Sequence, residues 1–288
     1  MSAPQYLSDR HASCVSKQSP PAWKSSAWMF VLGLMVQTVS AATIPFDTNA
    51  EYDNNFYEIS NGGDLVRNSG GYLNKVNTSA TGVIYNTHAT GGSGGQGGTT
   101  AGTPLDKFGD VTIQASFSAG VLETSSTSVG FFTKINDAAT TGYLAVIRLT
   151  SATTADFRLF DTASLSLVGT QIGTTQNFTT SGSFAINTLY IFKLAVKDVG
   201  LNVQFDASLW TAGGSQIGST ITATDTSSAV TGLGQVGLRL GSSGTSGSNV
   251  HLDDFSVTAI PEPQTCALFA AGGVLFVAGL LRLKRTKR

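Results

Sequence analysis

The 288-residue sequence predicts an all-β fold, an antiparallel β-sandwich of jelly-roll type, with an apolar segment near each end that stands apart from it. Three observations predict it. Apolar and polar residues alternate with period two through many short stretches. Clusters of Gly, Asn, Asp, Ser and Thr separate those stretches. Between residues 42 and 260 no window longer than ten residues has a clear helical period. Short alternating runs with regular turns are the pattern of two packed antiparallel sheets.

At the N-terminus, Lys17 and Lys24 precede an apolar run from Ala27 to Val39. Val39, Ser40 and Ala41 then place small residues at the −3 and −1 positions of a cleavage site. Residues 1–41 therefore read as a secretory signal helix for the Sec export machinery.

The segment 42–260 reads as one exported domain. Residues 43–86 form a small strand group. Gly-Gly-Ser-Gly-Gly-Gln-Gly-Gly at 91–98 is the centre of a Gly-rich surface loop over 87–104 between this group and the main sheet pair, which reads as an insertion rather than a domain boundary because so short a group is small for a core of its own. The loop lacks the Gly-Lys-Ser/Thr that a phosphate cradle needs. Val111, Ile113, Ala115 and Phe117 alternate with Thr112, Gln114 and Ser116. Tyr190, Phe192, Leu194 and Val196 alternate with Lys193 and Lys197, among others. Leu201, Val203, Phe205, Ala207 and Leu209 alternate with Asn202, Gln204, Asp206 and Ser208. Asp198-Val199-Gly200 reads as the hairpin turn between the last two runs, with Gly supplying positive φ. Further strands are expected at 128–135, 143–149, 156–161, 165–172, 217–223, 235–240 and 250–258.

Charge excludes several partners. Within 42–260 there are 16 acidic and 9 basic residues, a net −7. No basic patch is visible, so nucleic acid and anionic lipid are poor partners. Cys14 and Cys266 both lie outside this domain, which therefore has no disulfide.

Catalysis has little to stand on. Glu51, Glu58 and Glu123 are the only glutamates of the domain, and His88 and His251 its only histidines. No Gly-x-Ser-x-Gly elbow occurs. The domain reads as non-catalytic. Structural calcium is the one metal expectation. Asp253 and Asp254 are its leading ligands, on the last strand. Asp47 and Asp53 follow, near the first strand that should pair with it. Calcium takes six to eight oxygens, and adjacent acidic side chains from paired strands can supply them. The alternative is that Asp253 and Asp254 point to opposite faces of their strand. Trp210 is the one tryptophan of the domain. It follows the run 201–209 and reads either as a rim residue that stacks on a sugar or as a plug at the strand end.

The tail is tripartite. Pro261-Glu262-Pro263 is followed by an uncharged run from Cys266 to Leu281, then by Arg282, Lys284, Arg285, Lys287 and Arg288. Sixteen apolar residues make a helix of about 24 Å, which Leu283 and snorkelling basic stems extend toward membrane thickness. The transmembrane helix is expected over 266–283. The basic cluster fixes its end in the cytoplasm. Pro261 and Pro263 hold the motif extended, as a processing enzyme needs.

This tail, over 261–288, resembles the PEP-CTERM sorting signal of Gram-negative bacteria. The resemblance implies recognition by an exosortase and processing near Pro-Glu-Pro. A second resemblance covers about 110–258. Gly142 to Arg148 with Asp156 to Phe160, the pair Leu189 to Leu194 and Leu201 to Asp206, and Val250 to Val257 are similar to concanavalin/laminin-G-like jelly rolls. Glycosidases of that shape carry Glu-x-Asp-x-x-Glu on one strand, which this sequence lacks. Together these readings predict a non-catalytic cell-surface or extracellular-matrix protein, in the inner membrane during transit and then at or beyond the outer surface. The alternatives are a carbohydrate-binding module for exopolysaccharide and a polysaccharide-active enzyme.

Overall fold

The computed structural model describes residues 43–58, 65–75, 81–87, 89, 105–122, 128–138, 140–161, 169–241 and 250–260. The signal segment 1–41, most of the 87–104 loop, and the tail with its 266–283 helix lie outside the described residues. Among the described residues, no helix is long and apolar enough to cross a membrane.

The chain runs β1 (Thr43–Ile44), α1 (Asn49–Asp53), β2 (Phe56–Glu58), β3 (Leu65–Asn68), β4 (Tyr72–Lys75), β5 (Thr81–Tyr85), β6 (Val111–Ala119), β7 (Ser128–Ile135) and β8 (Tyr143–Leu149). It continues through β9 (Thr154–Asp161), β10 (Gln171–Thr179), β11 (Tyr190–Val199), β12 (Asn202–Thr211), β13 (Gln216–Asp225), β14 (Gln235–Leu240) and β15 (Val250–Ala259). The strand pairings among the described residues are antiparallel, and they make two sheets. The larger is ordered β13-β12-β11-β6-β15-β4-β3, with β1 also on β15. The smaller is ordered β10-β9-β8-β7-β14-β5-β2. The expected antiparallel sandwich is observed.

Local chemistry explains the strands. β11 from Tyr190 to Lys197 and β12 from Asn202 to Trp210 alternate between buried and half-buried positions, so one face packs and the other meets water. Phe192 of β11 stacks on Phe131 of β7 at 4.7 Å between ring centroids, joining the two sheets through the core. A second aromatic group, Phe46, Tyr52, Phe56, Tyr85 and Phe255, fills the part of the core under the first strands. Burying side chains of this size is the main favourable term in such a fold.

The first strands are not a separate group, which corrects the expectation for 43–86. Ile44 of β1 faces Phe255 and Leu73 of β4 faces Leu252, both on β15, while Ile84 of β5 faces Gly237 of β14. Their aromatic residues complete the core. The expected pairing of first and last strands is present as β1 on β15.

Two other local readings change. The turn after β11 is Gly200-Leu201, with Gly200 at φ 67°, and Asp198 and Val199 belong to the strand. The strand expected at 165–172 is β10, from Gln171 to Thr179; residues 162–168 lie outside the described set. β10 is a sheet-edge strand with mostly exposed polar residues, so it carries no alternation to read. Helix α1 is five residues long and is set by a capping box, Thr48 with Glu51, in place of an apolar period.

β7 and β14 are buried along nearly their whole length. A second apolar cluster explains this. Tyr57, Ile84, Phe132 and Leu144 pack on the outer side of the smaller sheet. They lie over glycines: a Cβ at Gly82 would meet the Phe132 ring at 2.3 Å, and one at Gly130 would meet Leu144 Cδ1 at 2.8 Å.

Candidate functional site

The outer face of the larger sheet carries Trp210 and Asp253 of the sequence-predicted residues. Strand register aligns them in transverse rows. Asp253 faces Ser116, Ser116 faces Ile191, Ile191 faces Trp210, and Trp210 faces Gln216. The next row holds Ser256, Gln114, Lys193 and Ser208. From Asp253 to Trp210 is three strand spacings, about 14 Å.

Trp210 lies within β12, not in a loop after it, because the strand runs on to Thr211. It is half-buried on the outer face. Its indole Nε1–H donates to Ser208 Oγ at 2.9 Å. The Lys193 ammonium stands 4.8 Å from the ring centroid, a cation–π contact. Both contacts hold the ring in one orientation. Four residues back along the strand, Asp206 accepts from Gln204 Nε2 at 3.0 Å and from Thr222 Oγ1 at 2.8 Å, with Lys197 Nζ at 3.6 Å. The face is thus an indole set among amide, hydroxyl, carboxylate and ammonium groups. An apolar ring beside fixed donors and acceptors suits a ligand with C–H faces and hydroxyl edges.

Asp253 and Asp254 occupy the other end of the first row. The β15 register shifts between Asp253 and Ser256, and Asp254 sits at φ 49°. Such a bulge inserts one residue and re-aims those around it. Asp254 is the inserted residue, so Phe255 returns to the core while Asp254 Oδ2 accepts from Ser116 Oγ at 3.3 Å. The Asp254 N–H donates to Asp253 Oδ1 at 2.8 Å. Strict alternation would have sent the two carboxylates to opposite faces; the bulge departs from it.

Burial pushes the Asp253 carboxyl up to about 6. The charges of Asp254, Asp47 and Glu51 add to that, and the Asp254 N–H opposes it. Beside it, His251 stacks on Tyr72 at 3.9 Å between centroids, and burial lowers the imidazole below its ordinary value.

The calcium expectation finds no assembled donor set. Asp47 is close enough to act on Asp253, and its main-chain carbonyl accepts from Arg67 Nη2. Asp53 is buried at the end of α1. Among the described residues no three Asp, Glu, His or Cys side chains are grouped to hold a metal ion.

The sorting residues Pro261, Glu262 and Pro263, and the basic residues Arg282, Lys284, Arg285, Lys287 and Arg288, lie outside the described residues. Sequence reasoning missed Lys193 as the partner of Trp210. The pairing depends on the β11–β12 register, which places Lys193 beside Ser208 and diagonal to Trp210. An alternation pattern read strand by strand does not contain it.

Fold and outer face together define an all-β two-sheet sandwich with a polar face around one aromatic ring. No protein-family model matches the chain, and no curated protein matches it. Among solved structures it is similar to a legume lectin-like domain from Entamoeba histolytica, at 9% identity and TM-score 0.47, covering 76% of this chain and 97% of that one. It is also similar to the carbohydrate binding module CBM66 from Bacillus subtilis, at 12% identity and TM-score 0.43, covering 72% and 96%. A Bacillus licheniformis beta-glucanase is similar at 10% identity and TM-score 0.42, covering 77% and 98%. Likeness at this level carries nothing about ligand or reaction.

Proposed function

We propose that this chain is a non-catalytic exported protein of the cell surface or extracellular matrix, whose sandwich binds carbohydrate through the outer face around Trp210. The observation that carries the binding part is the indole itself. It is half-buried on an outward face, tied by Ser208 and Lys193, and bordered by polar side chains. A sugar C–H face stacks on such a ring while its hydroxyls meet the surrounding amide and hydroxyl groups. Export and sorting rest on the sequence: a signal segment over 1–41 and a tail over 261–288 that resembles an exosortase substrate. The non-catalytic reading also rests on the sequence, in its few glutamates and isolated histidines.

The test is a glycan array probed with the full-length chain and with Trp210→Ala. Retained glycans that Trp210→Ala no longer captures support the reading. An equal array profile for both chains would overturn the role given to this face.

A further inference from the structure

The outer face of the smaller sheet gathers what the linear sequence scatters. Register places Arg239 of β14 opposite Gly130 of β7, Gly130 opposite Val146 of β8, and Val146 opposite Arg158 of β9. This row spans three strand spacings, about 14 Å. Arg148 stands opposite Asp156, in the neighbouring outward position. The sequence showed no basic patch in a domain of net charge −7. The fold corrects that: three arginines from three strands stand on one face.

Their charges are not balanced. Arg148 and Arg158 both pair with the one carboxylate of Asp156, at 2.6 and 2.8 Å. Arg239 has no ion pair among the described residues. It is only 8% exposed, and its buried Nε has no hydrogen-bond partner. The Nε atoms of Arg148 and Arg158 are likewise buried and without partners. A buried guanidinium without an anion is costly and is uncommon unless something supplies the charge. Burial pulls the Arg239 guanidinium below its ordinary value. Between the arginines the surface is apolar, because Leu144 packs over Gly130 and beside Val146.

We infer that this arginine row is a binding strip for an acidic polysaccharide, a chain bearing carboxylates at regular spacing. The inference rests on the carbohydrate-binding reading above but assigns a different face and a charged ligand class. Guanidinium forks match carboxylates in paired hydrogen bonds, which a lysine cannot reproduce. A shallow strip about 14 Å long suits an extended chain laid across the strands better than a compact ligand. The excess of two positive charges is complementary to a polyanion and opposite in sign to the rest of the domain.

The experiment titrates the full-length chain with polygalacturonate, with its methyl ester, with neutral dextran and with duplex DNA, at two salt concentrations. Polygalacturonate is expected to bind, more weakly at high salt. Arg239→Gln alone should weaken it several-fold, and Arg148→Gln/Arg158→Gln/Arg239→Gln by about tenfold or more. Lysine at the three positions keeps the charge but loses the forks, and should restore only part of the binding. If the triple variant fails to fold, Arg239→Gln carries the test. Equal binding of the methyl ester, equal capture of DNA, or unchanged affinity in Arg239→Gln would overturn the inference. Capture of neutral glycans lost in Trp210→Ala, with no binding of polygalacturonate, would overturn this strip and leave the first face standing. Binding of polygalacturonate lost in Arg239→Gln but indifferent to Trp210→Ala would support the strip and overturn the role given to Trp210.

Discussion

Lys134 of β7 reaches across the sandwich to Asp198 of β11, with its ammonium 2.9 Å from Asp198 Oδ1 and its side chain 1% exposed. The same ammonium donates to the Gly232 carbonyl at 2.7 Å, and the Gly232 N–H donates to Asp198 Oδ2 at 2.8 Å. One buried cation thus ties the smaller sheet, the larger sheet and the loop before β14 together. Lys134 takes φ 54° to do so.

The two partners are not equivalent, because the Asp198 side chain is 27% exposed. Removing Asp198 leaves an ammonium buried without its anion; removing Lys134 leaves a carboxylate that water reaches. Asp198→Ala is therefore expected to cost about 3 kcal/mol or more and Lys134→Met clearly less. The double variant should cost less than the sum of the two. Urea denaturation of the four chains at neutral pH measures this order. Equal costs for the two single variants would contradict it.

Tyr143 makes a second tie between the sheets. Its hydroxyl donates to Asp225 Oδ2 at 2.8 Å and accepts from the Val230 N–H at 2.7 Å. Burial opposes ionisation of Asp225, but hydrogen bonds from Ser227, Tyr143 and Ser228 outweigh it and hold the carboxyl below its ordinary value. A lowered folded-state value gives stability that is full above the unfolded value and is lost as pH falls through the folded one. Asp225→Asn should lower stability at neutral pH and flatten the acid limb of the stability curve. Tyr143→Phe leaves the Val230 N–H unpaired and should cost about 1–3 kcal/mol. Denaturation midpoints from neutral pH down to about pH 3 check both.

Asp253 runs the other way. Its folded value of about 6 lies above the value of an unfolded Asp. Its contribution is full below the unfolded value and is lost as pH rises through about 6. Asp253→Asn keeps the neutral form at every pH. The melting temperature of Asp253→Asn should match the parent near pH 4 and exceed it above pH 7. The gain should be modest, because the group is half exposed and solvent screens the repulsion. A loss of stability in Asp253→Asn above pH 7 would contradict this and point to a cation held by the carboxylate.

Much of the fold was legible because β6, β11 and β12 each have one wet and one dry face, so their alternation survives in the sequence. β10 was misplaced because an exposed edge strand has no dry face to declare itself. β1 to β5 were left as a minor group because they are short, and their place in both sheets depends on pairing with β14 and β15, far along the chain. Trp210 and Asp253 could be named from residue type. Their setting could not. Lys193 meets Trp210 through register, and Asp254 turns outward through one inserted residue. The arginine strip was invisible for the same reason, since Arg148, Arg158 and Arg239 meet only once β7 to β9 and β14 are aligned.

The central claim is that the sandwich works at or beyond the outer surface after its tail has been used as a sorting signal. The most direct test is the intact mass and C-terminal peptide of the protein recovered from its native host. The account predicts a C-terminus near Pro261–Pro263, with 266–288 missing. A chain that keeps 266–288 and ends at Arg288 would contradict it and leave a plain membrane anchor.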